Sequence, residues 1–309
     1  MPSRTARKVE MARQKIKTIL GVALAVASVA NPGLAQTQAT TTNATQASGG
    51  QDQSAAAMAQ EASNPFGSSW ALQLVQNNNW TEMPRGDDNT RVQSNLVFQP
   101  LISLRLTEKQ GLIIRPIVTV VNSVPYPGPS GQNERTAGFG DTVLAFALPH
   151  PLLGGRLMVG AGPTFIFPTA SEDLLSQHTW QVGPDAGAVL LGTHFISYGF
   201  VQQWFKVGGE GRDTNQMSGT FNFTYLFKNG WTLGTQPTLL VDWKARGGEQ
   251  GTFGIGPQVG KMCHCGGLPT LFQLQVQHYP IRPGVAGPKW NIQLQATPTI
   301  PALIKKALF

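Results

Sequence analysis

Short stretches in which polar and apolar residues alternate recur along most of this 309-residue chain. In one of them Gln273 and Gln275 flank Leu274, and a similar stretch follows near the end of the chain. A period of two places successive side chains on opposite faces, so each stretch predicts a β-strand with one polar and one apolar face. A soluble sandwich would turn the apolar faces toward each other, whereas a transmembrane barrel would turn them toward lipid and keep the amides inside.

The N-terminus has the composition of a bacterial export signal. Basic residues precede a short apolar stretch at 19–30, and Gly33-Leu34-Ala35 before Gln36 resembles a signal-peptidase site. We therefore predict a signal peptide at 1–35. The next residues, 36–64, are mostly Gln, Ala, Thr, Ser and Asn, which predicts a flexible periplasmic tether. Residues 65–309 remain for one folded domain.

The charge balance indicates what the exported chain contacts. The chain has 23 Lys and Arg and 16 Asp and Glu, of which 1–35 contains six and one, so 17 and 15 remain and the balance is +2. This near-neutral balance argues against nucleic acid or an anionic surface as a partner. Charged residues make up 13% of the chain, against roughly 25% in soluble domains. A surface partly in lipid would need such a low charge.

The alternation predicts twelve strands joined by connections that are long and short in turn. The strands are predicted at 68–77, 91–106, 111–123, 136–148, 156–168, 180–192, 195–207, 215–227, 231–245, 252–262, 270–279 and 289–300. Tryptophans that could form interfacial girdles near strand ends are Trp70, Trp80, Trp180, Trp204, Trp231, Trp243 and Trp290. An even strand number with alternating loop lengths is typical of bacterial outer-membrane proteins. We predict an all-β fold, a closed antiparallel transmembrane β-barrel of about 12 strands with both termini in the periplasm.

Strand parity predicts which polar side chains line the lumen. A charge that faces lipid at mid-bilayer costs ~2–4 kcal/mol, so charged side chains within strands are assigned inward. The predicted lumen-lining residues are Gln99, Arg105, Arg115, Asp141, Asp185, Gln236, Asp242, Gln273, Gln275, Gln293 and Gln295. Three Gly-Pro pairs, at 162–163, 183–184 and 256–257, lie within predicted strands. Parity turns each proline outward and each glycine inward, and we expect a kink there that leaves room in the lumen.

The chain resembles a family of Gram-negative outer-membrane proteins described as transporters or as members of the MetA pathway of phenol degradation. The motifs that carry the resemblance are Gly138-Phe139-Gly140-Asp141, Gly160-Ala161-Gly162-Pro163-Thr164-Phe165-Ile166-Phe167-Pro168-Thr169-Ala170, Trp180-Gln181-Val182-Gly183-Pro184, Gln202-Gln203-Trp204, Asn215-Gln216, Gln236-Pro237 and Gly287-Pro288-Lys289-Trp290. The similarity spans about 64–301. It implies an outer-membrane barrel that moves small solutes, hydrophobic or aromatic ones among them. The implied partners are that solute, outer-membrane lipid, lipopolysaccharide and the barrel-assembly machinery.

Several local clusters allow a metal-binding interpretation and a simpler one. Cys263, His264 and Cys265 supply at most three nearby metal ligands, and the alternative is a chance pair of thiols in a turn. A disulfide across one residue would be strained. The acidic pairs Asp87-Asp88, Glu172-Asp173 and Glu210 with Asp213 could bind calcium or bridge lipopolysaccharide, or could be solvated loop charges. We predict no metal site and no cofactor.

The function predicted from the sequence is a passive channel or transporter for a small solute, and not an enzyme. One alternative is a structural or adhesive barrel whose lumen is sealed by its own side chains. Another is an outer-membrane lipid esterase, which would need serine, histidine and a carboxylate or amide together. The histidines are His150, His178, His194, His264 and His278, and none has a serine at a short offset on the same predicted face.

Overall fold

The computed structural model describes residues 54–82, 90–127, 133–284, 287–304 and 306–308. The predicted signal peptide and residues 36–53 lie outside this part. One α-helix, α1, spans Ala55–Ser63. The strands are β1 Trp70–Glu82, β2 Thr90–Arg105, β3 Gly111–Pro127, β4 Asn133–Phe139, β5 Thr142–Leu152, β6 Leu157–Phe167, β7 Trp180–Leu191, β8 Phe195–Gly208, β9 Asn215–Leu226, β10 Trp231–Thr235, β11 Thr238–Asp242, β12 Gly251–Ile255, β13 Pro257–Cys265, β14 Leu268–Ile281 and β15 Pro288–Ile300. Among the described residues, no helix is both long and apolar enough to cross a membrane.

The strands form one closed antiparallel wall. Successive strands pair as neighbours, and β1 pairs with both β2 and β15, so the first and last strands close the sheet. Three positions in the wall are each shared by two consecutive strands: β4 and β5 against β3, β10 and β11 against β9, and β12 and β13 against β14. The wall therefore has twelve strand positions, which confirms the predicted barrel and excludes the two-sheet sandwich.

The three shared positions differ from the continuous strands that the sequence predicts. The interruptions lie at Gly140-Asp141, Gln236-Pro237 and Gly256. Proline lacks the N–H that a ladder requires, so a break at Pro237 costs no donor. Its carbonyl oxygen instead accepts a hydrogen bond from the N–H of Phe221 at 3.0 Å. The wall thus bends at these points and still closes.

The connections divide the barrel into two distinct ends. Short turns at 106–110, 153–156, 192–194, 227–230 and 266–267 lie at one end, which we call the short-turn end. Longer connections, such as 168–179 and 243–250, lie at the other, the long-loop end. The start of β1 and Leu308 lie at the short-turn end, where the N–H of Leu308 donates to the carbonyl of Arg105 at 3.0 Å. In bacterial barrels the short turns are periplasmic.

The outward face of the wall is apolar and the inward face is polar over much of its height. Leu233 and Leu294 point outward with 52% and 51% of their surface exposed. Gln275 and Gln277, which alternate with outward residues on β14, are each only 1% exposed. This is the inverse of a soluble β-protein, because it presents hydrocarbon-compatible side chains to the surroundings. The outward face therefore fits lipid.

Helix α1 lies inside the wall at the short-turn end. Ala59 and Ala62 are buried against Leu226, Met262 and Leu271, three inward side chains of β9, β13 and β14. The side-chain amide of Gln60 donates to the carbonyl of Gly192 at 2.7 Å, which ties the helix to the β7–β8 turn. The sequence predicts a flexible tether over 36–64, and 55–63 departs from it. The wall supplies the large apolar side chains that the alanine-rich segment itself lacks, and alanine is the best helix former.

Phe66 fills the interior just beyond the helix. Its ring is 5% exposed and packs edge-on against Phe200, with ring centroids 5.2 Å apart. Gly160 lies beneath the ring, since a Cβ there would lie 2.6 Å from Cζ of Phe66. Inward apolar side chains surround Phe66: Ala71, Leu101, Ile113, Ala147, Val189 and Ile196. We call residues 55–66 the plug, because they lie in the short-turn half of the lumen.

Candidate pore-lining site

Two side chains of opposite charge lie in the lumen, Arg115 on β3 and Asp185 on β7. We call them the charged pair. Nη2 of Arg115 donates to Oε1 of Gln99 at 2.7 Å. Asp185 is 7% exposed, its Oδ2 accepts a hydrogen bond from Gln202 at 3.3 Å, and it interacts electrostatically with Arg115. The structure therefore brings together three of the residues proposed from parity, one cationic, one anionic and one amide. A solute that passes here meets both signs of charge.

Trp204 and Thr164 belong to the same region, and sequence reasoning missed both. The indole N–H of Trp204 donates to Oγ1 of Thr164 at 3.1 Å, and Gln202 donates to the same oxygen at 3.2 Å. Trp204 is buried, so it lies inside the barrel and not in an interfacial girdle. Alternation along β8 could have indicated the inward position of Trp204. Adjacent side chains of a strand point to opposite faces, and the neighbouring Phe205 faces outward.

An amide cluster surrounds the break between β10 and β11. The backbone carbonyl of Gln236 accepts hydrogen bonds from the side chains of Gln275, at 3.1 Å, and Gln277, at 3.0 Å. The side-chain oxygen of Gln236 accepts a third from Gln258 at 3.4 Å. A buried carbonyl without a ladder partner is costly. The glutamines therefore stabilise the interruption as well as lining the lumen.

The amide network continues around the wall toward β1. Nδ2 of Asn291 donates to Asn77 at 3.1 Å and to Gln277 at 3.2 Å, and Asn77 donates to Asn95 at 3.1 Å. Lower on the wall the amide of Gln295 donates to Thr297 at 3.0 Å. Gln273 and Gln293, which the sequence also predicts in the lumen, are half-buried. Gln273 pairs with Gln295 across β14 and β15, and Gln293 pairs with Gln275.

Asp141 and Arg105 lie apart from the charged pair. Asp141 sits in the break between β4 and β5, where its carboxylate accepts hydrogen bonds from Ser176 Oγ at 3.1 Å and the N–H of Gln177 at 2.8 Å. It therefore holds the β6–β7 loop, because the break removes it from the strand ladder. Arg105 is exposed at the short-turn end of β2.

Asp242 belongs to the long-loop mouth. It ends β11 and forms an ion pair with Arg212 of the β8–β9 loop. Beside it, Nζ of Lys244 lies 2.8 Å from Oδ2 of Asp213, and this hydrogen bond lowers the pKa of the Asp213 carboxyl and raises the pKa of Lys244. The two ion pairs join neighbouring loops at the mouth.

The Gly-Pro pairs have the predicted facing, but no room lies at the glycines. Pro163, Pro184 and Pro257 are exposed on the outward face, while Asp185 next to Pro184 is buried inside. A Cβ at Gly183 would lie 2.7 Å from the carbonyl carbon of Gln203, with the carbonyl oxygen closer still. The expectation of free lumen space there is wrong, because the backbone of the adjacent strand occupies it.

The clusters considered for metal or nucleophilic chemistry are dispersed. Cys263 and Cys265 are free thiols on β13, the first half-buried and the second exposed. Across the described residues, no three His, Cys, Asp or Glu side chains are gathered as metal ligands. Nε2 of His178 lies 3.8 Å from Oδ1 of Asp173. The predicted acidic pair at 87–88 lies outside the described residues.

Comparison with solved structures identifies similar barrels. The COG4313 outer membrane channel from Pseudomonas putida F1 is similar over 77% of this chain and 97% of its own, with 15% sequence identity and a TM-score of 0.59. A Pseudomonas aeruginosa FadL homologue covers 81% of this chain and 93% of its own, at 8% identity and a TM-score of 0.37. Pseudomonas aeruginosa OpdQ covers 75% of this chain and 97% of its own, at 9% identity and a TM-score of 0.35. No protein-family model and no curated protein matches the chain.

This protein has the fold of an outer-membrane β-barrel. The decisive observation is a closed twelve-position wall whose outward face is apolar, together with the similarity in fold to the Pseudomonas putida F1 channel. Such a wall is stable in a bacterial outer membrane, where lipid covers the exterior and every strand edge is paired. Membership of the family named from the sequence stays a prediction.

Proposed function

We propose that the protein is a passive outer-membrane channel for a small solute, with hydrophobic or aromatic solutes suggested by the sequence resemblance. The observation that carries the proposal is the inward charged pair of Arg115 and Asp185 above a plug that is built from the chain's own N-terminal segment. A solute from the long-loop mouth would pass the amides and the charged pair, and would then have to pass the plug.

The charged pair supports a role in selection. Arg115 and Asp185 carry opposite charges, and a charge in a narrow lumen affects passing solutes strongly because little water screens it. Aromatic side chains lie close to the pair, since Tyr198 interacts with Arg115 and packs against Phe200 at 5.8 Å between ring centroids. Polar recognition next to an aromatic surface suits solutes that carry both kinds of group.

The plug also favours a second candidate, a sealed structural barrel. Phe66 and the α1 residues Ala59 and Ala62 are buried, so the lumen around them is packed as a protein core is. A barrel whose plug never leaves would hold the wall rigid and conduct nothing.

Conductance of the full-length protein in planar bilayers distinguishes the two. Phe66→Ala removes a buried ring, a change that costs about 3–5 kcal/mol in packed cores, and we expect it to weaken the plug and increase conductance. Phe139→Ala, at an outward residue, is the matched control and should leave conductance unchanged. Swelling of vesicles in aromatic and non-aromatic solutes then ranks the solutes. If neither wild type nor Phe66→Ala conducts or admits a solute, the sealed barrel is correct.

A further inference from the structure

An apolar groove crosses the outward face of β10, β13, β14, β15 and β1. Its volume is about 510 Å³. Ala296 forms its floor, because it pairs with Phe272 on one side and Leu74 on the other and is much smaller than both. Leu274 and Leu294 form the next row of the wall. With strands about 4.8 Å apart, Leu74 and Phe272 lie roughly 10 Å from each other across Ala296, a gap that suits a hydrocarbon chain running along β15.

Lys261 is a cation in the groove lining, on the side of the groove nearer the short-turn end. Lys261 on β13 pairs with both Trp231 and Phe272, and its Nζ lies 5.2 Å from the centroid of the Trp231 ring. The same Nζ donates to the carbonyl of Asn229 at 2.8 Å. An ammonium has three N–H donors, so this hydrogen bond leaves donors for a further acceptor.

The position of Lys261 fixes its depth in the membrane. A lysine on the lipid face costs ~2–4 kcal/mol at the midplane and about 0–1 kcal/mol near the interface. Its stacking on Trp231 is typical of the interface, where indole rings are enriched. The ammonium therefore lies at headgroup level, in the leaflet next to the short turns.

We propose that this groove binds one phospholipid of that leaflet. One acyl chain lies over Ala296 between Leu74 and Phe272, and the phosphate accepts a hydrogen bond from Lys261. The groove favours an amphipathic occupant, because its lining is largely apolar and includes one lysine. The site is independent of solute passage, since it lies on the opposite face of the wall from Arg115 and Asp185.

Native mass spectrometry of the full-length protein in detergent tests this site. The probes are dioleoylphosphatidylglycerol and dioleoylglycerol, which share acyl chains but differ in the phosphate. We expect wild type to retain one phosphatidylglycerol and to bind diacylglycerol at least fivefold more weakly. Ala296→Phe should abolish retention of both by filling the groove, and Lys261→Gln should weaken phosphatidylglycerol about tenfold while leaving diacylglycerol unchanged.

Two control variants separate the groove from general effects. Leu148→Phe adds a ring to an exposed outward position on β5, and Lys109→Gln removes a cation from a short turn. Both should bind phosphatidylglycerol as wild type does, and the heat-induced gel shift of folded barrels verifies that each variant is assembled. Equal lipid retention by wild type and Ala296→Phe would overturn the site. So would a dimer that Ala296→Phe abolishes, because the groove would then be a contact between two copies.

Discussion

Gly183→Ala tests how closely two strands of the wall approach. The Cβ of alanine would lie 2.7 Å from the carbonyl carbon of Gln203 on β8, and 3.3 Å from Cα of Trp204. Ordinary contact begins at 3.4 Å. The strands would therefore have to separate by roughly 0.7 Å or more, a change that close-packed interiors resist.

The cost follows from what such a separation would break. Overpacking in a well-packed interior costs about 1–3 kcal/mol, and each ladder hydrogen bond lost adds about 0.5–1.5 kcal/mol. Ladder pairs flank the site at Val182 with Phe205 and at Asp185 with Gln202. We expect Gly183→Ala to lower the free energy of unfolding by about 3 kcal/mol, and a bulkier residue such as phenylalanine to prevent assembly.

The assay is urea unfolding in lipid vesicles, followed by tryptophan fluorescence and by the heat-induced shift on gels. Gly208→Ala is the matched control, because the nearest atom to a Cβ there is 3.9 Å away. It should change stability by less than about 0.5 kcal/mol. If Gly183→Ala unfolds at the same urea concentration as Gly208→Ala, the close approach of β7 and β8 is refuted.

Three further changes test other parts of the barrel. Arg115→Glu should shift selectivity toward cations, as read from the reversal potential in a salt gradient; an unchanged potential would mean that permeant ions do not pass this residue. Asp141→Ala removes the acceptor for three loop groups and should speed protease cleavage within 168–179, and cleavage at the wild-type rate would show that the loop is held by other contacts. Leu294→Arg puts a charge on the lipid face at a cost of ~2–4 kcal/mol, and should lower the fraction that inserts into vesicles, whereas Leu294→Ile should not.

The strand pattern was predictable because alternation and loop length act locally and repeat. The strand predicted at 195–207 is β8, Phe195–Gly208, and the one predicted at 180–192 is β7, Trp180–Leu191. The break at Gln236-Pro237 was not predictable in the same way. Alternation continues across it, and hydrogen bonds from residues distant in sequence, such as those from Gln275 and Gln277 to the Gln236 carbonyl, stabilise it.

The candidate site was predictable only in part, for a related reason. Parity identifies Arg115 and Asp185 as inward because each is a charge within an apolar strand. It assigns Asp141 wrongly to the strand ladder, since its partners come from a loop distant in sequence. The plug could not be predicted from the local sequence. Its alanines are buried by large apolar side chains that belong to wall strands distant in sequence.

The plug also has a consequence for how current through a single barrel would vary with time. The plug and the start of β1 lie at the same end, and residues 67–69 connect them, so the plug could leave the lumen without any strand separating. An undocking free energy of about 4 kcal/mol would leave the lumen free for roughly one part in a thousand of the time. Wild type would then show rare, full-sized bursts, and not a small steady current. Phe66→Ala, which weakens the packing of the plug, would increase the frequency and length of the bursts while their amplitude stayed nearly the same.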